Sequence, residues 1–268
     1  MAMTAGEERE ALWARLEDLC ARAARGEVVY TPFLSEKAVF YAASWLKPRG
    51  IPYAAYGGYA DAERKRIWIF PDYMEEAASE PDFMPAGLSA YGAETGIASL
   101  RIIGSGFATL SHRDFLGALL GLGIERDVLG DICVGPEGKD AVLFCDRRIL
   151  PFLLSELKKI GRDTVRVREI VLPADFRAER RMAPVSDTIA SPRLDCVVAA
   201  LCGLSRERAR ECVAGGLAEL DYETELRPDR SVTPPCVLSV RGYGKFRVIS
   251  TSGQTKKGRY RLSAEKYL

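Results

Sequence analysis

Arginines dominate the residues of this chain whose types and spacing could do chemistry. In Ser205-Arg206-Glu207-Arg208-Ala209-Arg210-Glu211-Cys212-Val213 a helix would set Arg206 and Arg210 on one face, with Arg208 adding a third cation. Like charges so placed destabilise a helix slightly, so an anionic partner is one reason to keep both. Arg193 opens the helical segment before it. Further on, Arg241-Gly242-Tyr243-Gly244-Lys245-Phe246-Arg247-Val248 read with period two puts Arg241, Tyr243, Lys245 and Arg247 on one strand face. Guanidinium forks grip phosphate through paired hydrogen bonds, and aromatic rings stack on unpaired bases. The chemistry offered is recognition of a polyanion that carries bases.

Lys256, Lys257 and Arg259, in the stretch 252–259, have the composition of a mobile basic arm. The candidate RNA-binding set is therefore Arg193, Ser205, Arg206, Arg208, Arg210, Arg241, Tyr243, Lys245, Lys256, Lys257 and Arg259. Bland alternatives stand beside it. Arg193 reads equally as a solvated neighbour of a helix cap, Arg210 as a partner of Glu207, and the arm as plain disorder.

The elements that must position these side chains follow from the pattern. Ser191 is a favoured N-cap and Pro192 a favoured first helical residue, with Asp195 near the positive helix end. Leu194, Val197, Val198 and Leu201 then form the stripe of a core-facing helix, which Gly203 ends. Ser205 caps a second helix, closed by Gly215-Gly216. Upstream, residues 12–25 and 35–46 read as helices and 51–59 and 64–70 as strands. Residues 95–172 give the order β-α-β-β-α-β, the split-βαβ pattern that RNA-recognition motifs use. The strand Ala141-Val142-Leu143-Phe144 lacks the basic, glycine and aromatic series on which such motifs stack bases. Residues 173–188 read as a linker.

Bulk properties narrow the class. The chain has 268 residues, 47% hydrophobic and 28% charged, ordinary for a globular protein. Its net charge of +1 hides an asymmetry: residues 176–268 carry 17 Lys+Arg against 11 Asp+Glu, leaving 21 against 26 in front. A polyanion is expected at the back. The seven cysteines include no C-x-x-C pair, which argues for reduced thiols and no zinc site. An acidic start without an apolar run, and no segment of membrane-spanning length, lead to the expectation of a cytoplasmic protein with no membrane span.

Arg193-Leu194-Asp195, followed after ten residues by Ser205-Arg206, Ala209, Val213 and Gly216, and later by Ser239-Val240-Arg241-Gly242, resembles the S4 RNA-binding domain. The wider chain resembles the YlmH family through Tyr59-Ala60-Asp61-Ala62-Glu63-Arg64-Lys65-Arg66, Pro71-Asp72-Tyr73, the run 112–124 and Val240-Arg241-Gly242-Tyr243-Gly244-Lys245-Phe246. The resemblance implies an α+β protein: an N-terminal α/β domain at 1–80, a central RRM-like (ferredoxin-like) domain at 81–175, an S4 domain at 189–250 and a basic tail at 251–268. It also implies binding to structured RNA (rRNA and tRNA) on the large ribosomal subunit in rescue of stalled translation. We expect a monomer without cofactor, metal or catalytic group. Two departures from the S4 pattern stand out. The turn Glu219-Leu220-Asp221-Tyr222-Glu223 is acidic where the family has a basic Asn-Gly turn, and Pro235-Cys236 replaces Gly-Asp. The hairpin is therefore expected to contribute little.

Two rival readings compete with this one. An S4-containing RNA-modifying enzyme would need a catalytic aspartate, whereas Asp195 follows Pro192-Arg193-Leu194 at a helix start and reads as helix-end support. The single histidine, His112, reads as a helix-start residue beside Asp114 or a surface group. A protein-interaction factor linked to cell division would use the acidic front. The patch Arg64-Lys65-Arg66 reads as a solvated turn or an auxiliary RNA contact.

Overall fold

The computed structural model describes residues 5–75, 83–90, 94–173, 175–178, 182–253, 255 and 258–267. It is a mixed α and β protein that divides into two compact units, Met1–Glu179 and Arg180–Leu268. Among the described residues no helix is long and apolar enough to cross a membrane.

The first unit opens with α1 (Ala5–Ala23), β1 (Val29–Tyr30), α2 (Glu36–Leu46), β2 (Tyr53–Tyr56) and β3 (Arg66–Ile69). Leu12, Leu16, Leu19 and Ala23 recur at helical spacing, so α1 turns one stripe onto Ala42 and Leu46 of α2 and Ile67 and Ile69 of β3. Each buried leucine contributes about 1.5–3 kcal/mol. The Ser35 hydroxyl caps α2, accepting from the Ala38 amide at 3.3 Å. The antiparallel order β1-β3-β2 puts β3 in the middle, where every residue is buried.

A second sheet follows within this unit: β4 (Ile97–Ile103), α3 (His112–Gly121), β5 (Leu129–Val134), β6 (Asp140–Asp146), α4 (Leu150–Glu156), the hairpin β7 (Lys159–Ile160) and β8 (Asp163–Thr164), and β9 (Arg166–Glu169). The main strands are antiparallel in the order β5-β6-β4-β9. Ala98, Leu100 and Ile102 alternate inward against Phe115 and Leu119 of α3 and Leu150 and Leu153 of α4. The helix expected to run to residue 160 stops at Glu156, because Lys159–Ile160 pairs with Asp163–Thr164 instead.

In the second unit β10 (Met182–Ile189) precedes α5 (Leu194–Cys202), α6 (Arg206–Ala214), β11 (Ala218–Leu220), β12 (Glu223–Thr224), β13 (Cys236–Val240), β14 (Gly244–Ser250) and β15 (Tyr260–Tyr267). They form one antiparallel sheet, β10-β15-β14-β13-β11-β12. Both helices cover one face: Leu194, Val197, Val198, Leu201, Ala209 and Val213 share a core with Leu238, Val240, Phe246, Val248, Leu262 and Ala264.

Two expectations are corrected here. The end of the expected linker, 182–188, and the second part of the expected basic tail, 260–267, are strands, paired from Met182↔Tyr267 to Ile189↔Tyr260. Their alternation explains it, since Ile189, Leu262 and Ala264 enter the core while the polar residues between them face outward. The first helix of this unit also begins at Leu194, with Arg193 as its cap residue, and not at Ser191. Arg193 is held extended because Val232 N–H donates to the neighbouring Pro192 carbonyl at 2.8 Å and Arg193 bridges Ser231.

Candidate nucleic-acid interface

At the mouth of the α5–α6 pair, a carboxylate organises two of the expected arginines. Asp195 is 0% exposed, accepting from Arg193 at 3.1 and 3.2 Å, from Arg206 Nε at 3.4 Å and from the Cys196 amide at 3.0 Å. Burial works to raise its pKa, but the hydrogen bond and charge of Arg193, the Cys196 side chain and the charge of Arg206 outweigh it and hold the carboxyl below its ordinary value. The first two amides of α5 that need partners outside the helix find them in loop carbonyls, Leu194 to Arg230 at 2.8 Å and Asp195 to Pro228 at 2.9 Å. Arg193 and Arg206 keep 38% and 58% of their side chains exposed. Two guanidinium groups over one carboxylate leave a net positive charge, fixed in place before any ligand arrives.

The other helix candidates divide. The Ser205 hydroxyl caps α6, accepting from Arg208 N–H at 3.2 Å. Arg208 pairs with Glu211 at 2.7 Å, one turn on. Arg210 is exposed and forms no ion pair with Glu207 or any other described residue. The fully helical reading of the arginine row therefore leaves Arg210 as the cleanest free cation among the described residues of α6.

The strand candidates do not share one face as expected. Val240 pairs with Gly244, so Arg241-Gly242-Tyr243 is the loop of the β13–β14 hairpin, and Gly242 takes φ +86° there. Arg241 is exposed at this tip and Tyr243 packs against the core on the helix side. Lys245 and Arg247 point to the opposite, open face of the sheet.

On that open face the structure adds aromatic partners that sequence reasoning missed. The Lys245 ammonium lies 4.7 Å from the Tyr267 ring centre and 5.4 Å from that of Tyr222. Arg247 sits 5.9 Å from Tyr267 and 3.9 Å from Glu265. Tyr222 belongs to the acidic turn that was discounted. Asp221 and Tyr222 both have positive φ, +49° and +67°, in a two-residue hairpin loop where Asn-Gly is the usual solution. Two non-glycine residues in that region cost about 1–3 kcal/mol each, and the Asp221 carboxylate offsets part of this by accepting from Val237 N–H at 2.9 Å. The signal available in the sequence was Asp221, an Asx residue in a short turn.

Arg259 is no part of a mobile arm. Its Nε donates to the Thr188 hydroxyl at 3.0 Å and its Nη2 to the Thr188 carbonyl, closing the start of the β10–β15 pairing. Lys256 and Lys257 lie outside the described residues.

In the first unit, the Arg64-Lys65-Arg66 patch is neither a solvated turn nor a free cationic surface. Arg66 is 1% exposed, pairs with Asp146 at 2.5 Å and lies 4.7 Å from the Tyr30 and Phe33 ring centres. Arg64 donates to the carbonyls of Leu129, Phe33 and Arg126 at 2.8–3.0 Å. His112 borders a cleft of about 160 Å³ with Arg64, Arg126, Glu63 and Asp131, and burial, then the Arg126 charge, lowers its pKa. Asp114 hydrogen-bonds Ser111 at 2.6 and 2.8 Å. The helix-free side of the β5-β6-β4-β9 sheet is partly covered. Tyr59 stacks on Phe144 at 4.9 Å, Phe176 meets Tyr59 edge-on at 5.4 Å, and Asp131 holds the Tyr59 hydroxyl at 2.8 Å.

Residues 98–173 match the family described as "Putative RNA-binding domain in YlmH". Over 211 residues, 78% of this chain and 76% of that protein, the sequence is 29% identical to "Ribosome-associated protein quality control protein P2" of Bacillus subtilis (strain 168). The solved structure titled "Cell division protein ylmH from Streptococcus pneumoniae" is similar at 24% identity and a TM-score of 0.47, covering 64% of this chain and 94% of that one. By the domain match and the Bacillus relative, the chain is similar to the YlmH family of RNA-binding-domain proteins.

Proposed function

We propose that this chain is a non-catalytic RNA-binding factor that engages structured RNA, ribosomal RNA and tRNA on the large ribosomal subunit, in quality control of stalled translation. The observation that carries this reading is the hub in which buried Asp195 holds the half-exposed guanidinium groups of Arg193 and Arg206. Orienting two forked donors in advance lowers the ordering cost of gripping phosphate, and the net positive charge selects a polyanion. Arg210 and Arg241 extend the cationic surface, and the Tyr222–Lys245–Tyr267 group offers rings for unpaired bases. The RNA-binding family matched at 98–173 and the ribosome-associated Bacillus relative support the same direction.

In this reading the Arg180–Leu268 unit is an S4-type domain. The split-βαβ strand order of β4 to β9 is RRM-like, and the N-terminal α/β part positions the rest. The protein works as a cytoplasmic monomer. The test is co-sedimentation of the full chain with purified large ribosomal subunits across a salt series. Wild type should bind at about 50 mM salt and weaken steeply, and Arg210→Ala with Arg241→Ala should flatten the salt slope by about two powers. Absence of co-sedimentation at low salt sinks the proposal.

A further inference from the structure

We propose that the 98–173 domain contacts RNA along its β9 edge, through Arg101, Arg166 and Arg168 with Phe107 in the loop that leaves β4. This rests on the RNA-binding reading above and names a second surface for it.

The aromatic part of the sheet's helix-free face is closed to bases. Tyr59, only 5% exposed, lies over Phe144, and Phe176 closes the group from the side. Val142, Cys133 and Ile97 pack into the same cluster. What stays open on that face is its other side, towards the edge strand. There Arg101 of β4 sits directly opposite Arg168 of β9, and Ile103 opposite Arg166. All three arginines are exposed. Like charges directly across a ladder are destabilising, so the fold alone gives no reason for the pairing. Internal carboxylates neutralise little of it. Asp140 takes Arg101 at 2.8 Å and Arg147 takes Glu169 at 3.0 Å, and no described carboxylate pairs with Arg166 or Arg168.

An exposed aromatic ring follows in the chain, four residues beyond the end of β4. Phe107 is 99% exposed in the loop that leaves β4. The loop is pinned: Ser105 donates to the Asp163 carboxylate through its amide at 3.1 Å and through its hydroxyl, and Gly104 N–H donates to the Lys139 carbonyl at 2.8 Å. Asp163 lies in the β7–β8 hairpin next to exposed Arg162. A large apolar side chain held in water, on a loop pinned to the hairpin that leads into β9 and its exposed arginines, fits a ligand with phosphates and a stackable base. An acidic protein surface would use the charge and leave the ring idle.

The test measures the full chain against purified large ribosomal subunits and against deproteinised large-subunit rRNA, at salt from about 50 to 200 mM. The variants are Arg166→Glu with Arg168→Glu, and separately Phe107→Ala, whose exposed position cannot unfold the domain. The charge reversal should weaken binding to both probes about tenfold or more and lower the salt slope by about two. Phe107→Ala should weaken it about fivefold or more with the slope unchanged. If wild type binds and both variants match it in affinity and slope, the edge is not the contact and the RNA-binding function stands. Loss of subunit binding with undiminished binding to naked rRNA overturns the assignment in favour of a ribosomal protein. Wild type that binds neither probe overturns the function reading itself.

Discussion

Replacing Asp195 by asparagine keeps the shape of the hub and removes its charge. The carboxylate is fully buried and receives Arg193 at 3.1 and 3.2 Å, the Cys196 amide at 3.0 Å and Arg206 at 3.4 Å. Hydrogen bonds to charged groups contribute about 1.5–3 kcal/mol, and asparagine also turns an NH₂ toward guanidinium donors. The arginines are 38% and 58% exposed, so water recovers part of what they lose, and the Arg206 bond is already long. The net expectation is about 2–3 kcal/mol of lost stability. For a unit the size of Arg180–Leu268 that lowers the melting temperature by about 10 °C or more. Calorimetry and denaturant titration of the full chain measure it, and a change within about 0.5 kcal/mol refutes the hub as a structural element. RNA affinity gives a second readout of opposite expectations. Asp195→Asn makes the chain more positive by one charge, which strengthens simple electrostatic attraction. If the hub works by orientation, affinity falls instead.

Three further outcomes follow from the geometry. Burial raises the Asp146 pKa, but the Arg148 hydrogen bonds and the Arg66 charge outweigh it and depress the carboxyl. A depressed carboxylate stabilises above its unfolded pKa of about 4 and loses that contribution as pH falls through the folded value. Asp146→Asn should therefore destabilise at pH 7 and differ little from wild type in strong acid, as denaturant titrations at both pH values would register. Gly58 has φ +107°, and a Cβ there would lie 2.3 Å from Phe144, so Gly58→Ala should lose about 2–4 kcal/mol, read by thermal melting. Burial pushes the Cys145 and Cys236 thiols up to about 12, so mass spectrometry after brief native alkylation at pH 8 should find both unmodified while the half-buried Cys20 reacts.

Local pattern made much of this protein legible. Periodicity located α1 and α2, Ser35 and Ser205 announced their helices, and the apolar stripe of α5 appeared as read. What stayed hidden depended on distant partners. Arg66 looks like surface because arginine is rarely buried unless paired, and its partner Asp146 lies 80 residues away. The strands 182–189 and 260–267 looked like linker and tail because half their residues are polar, and they meet only when the two ends of the Arg180–Leu268 unit come together. Asp195 was visible as a helix-start acid, yet its role as a hub needs Arg206 brought back by the α5–α6 turn. Period two failed at Arg241-Gly242-Tyr243 because Gly242 and Gly244, with φ +86° and +126°, turn the chain there.

The central claim is that the arginine surface of the Arg180–Leu268 unit grips structured RNA. Chemical footprinting of the full chain on isolated large ribosomal subunits tests it most directly. The account predicts a compact set of protected nucleotides that disappears with Arg206→Ala and Arg210→Ala, in a chain shown by calorimetry to remain folded. Bound protein that protects no nucleotide, or a footprint that the double substitution leaves intact, would contradict it.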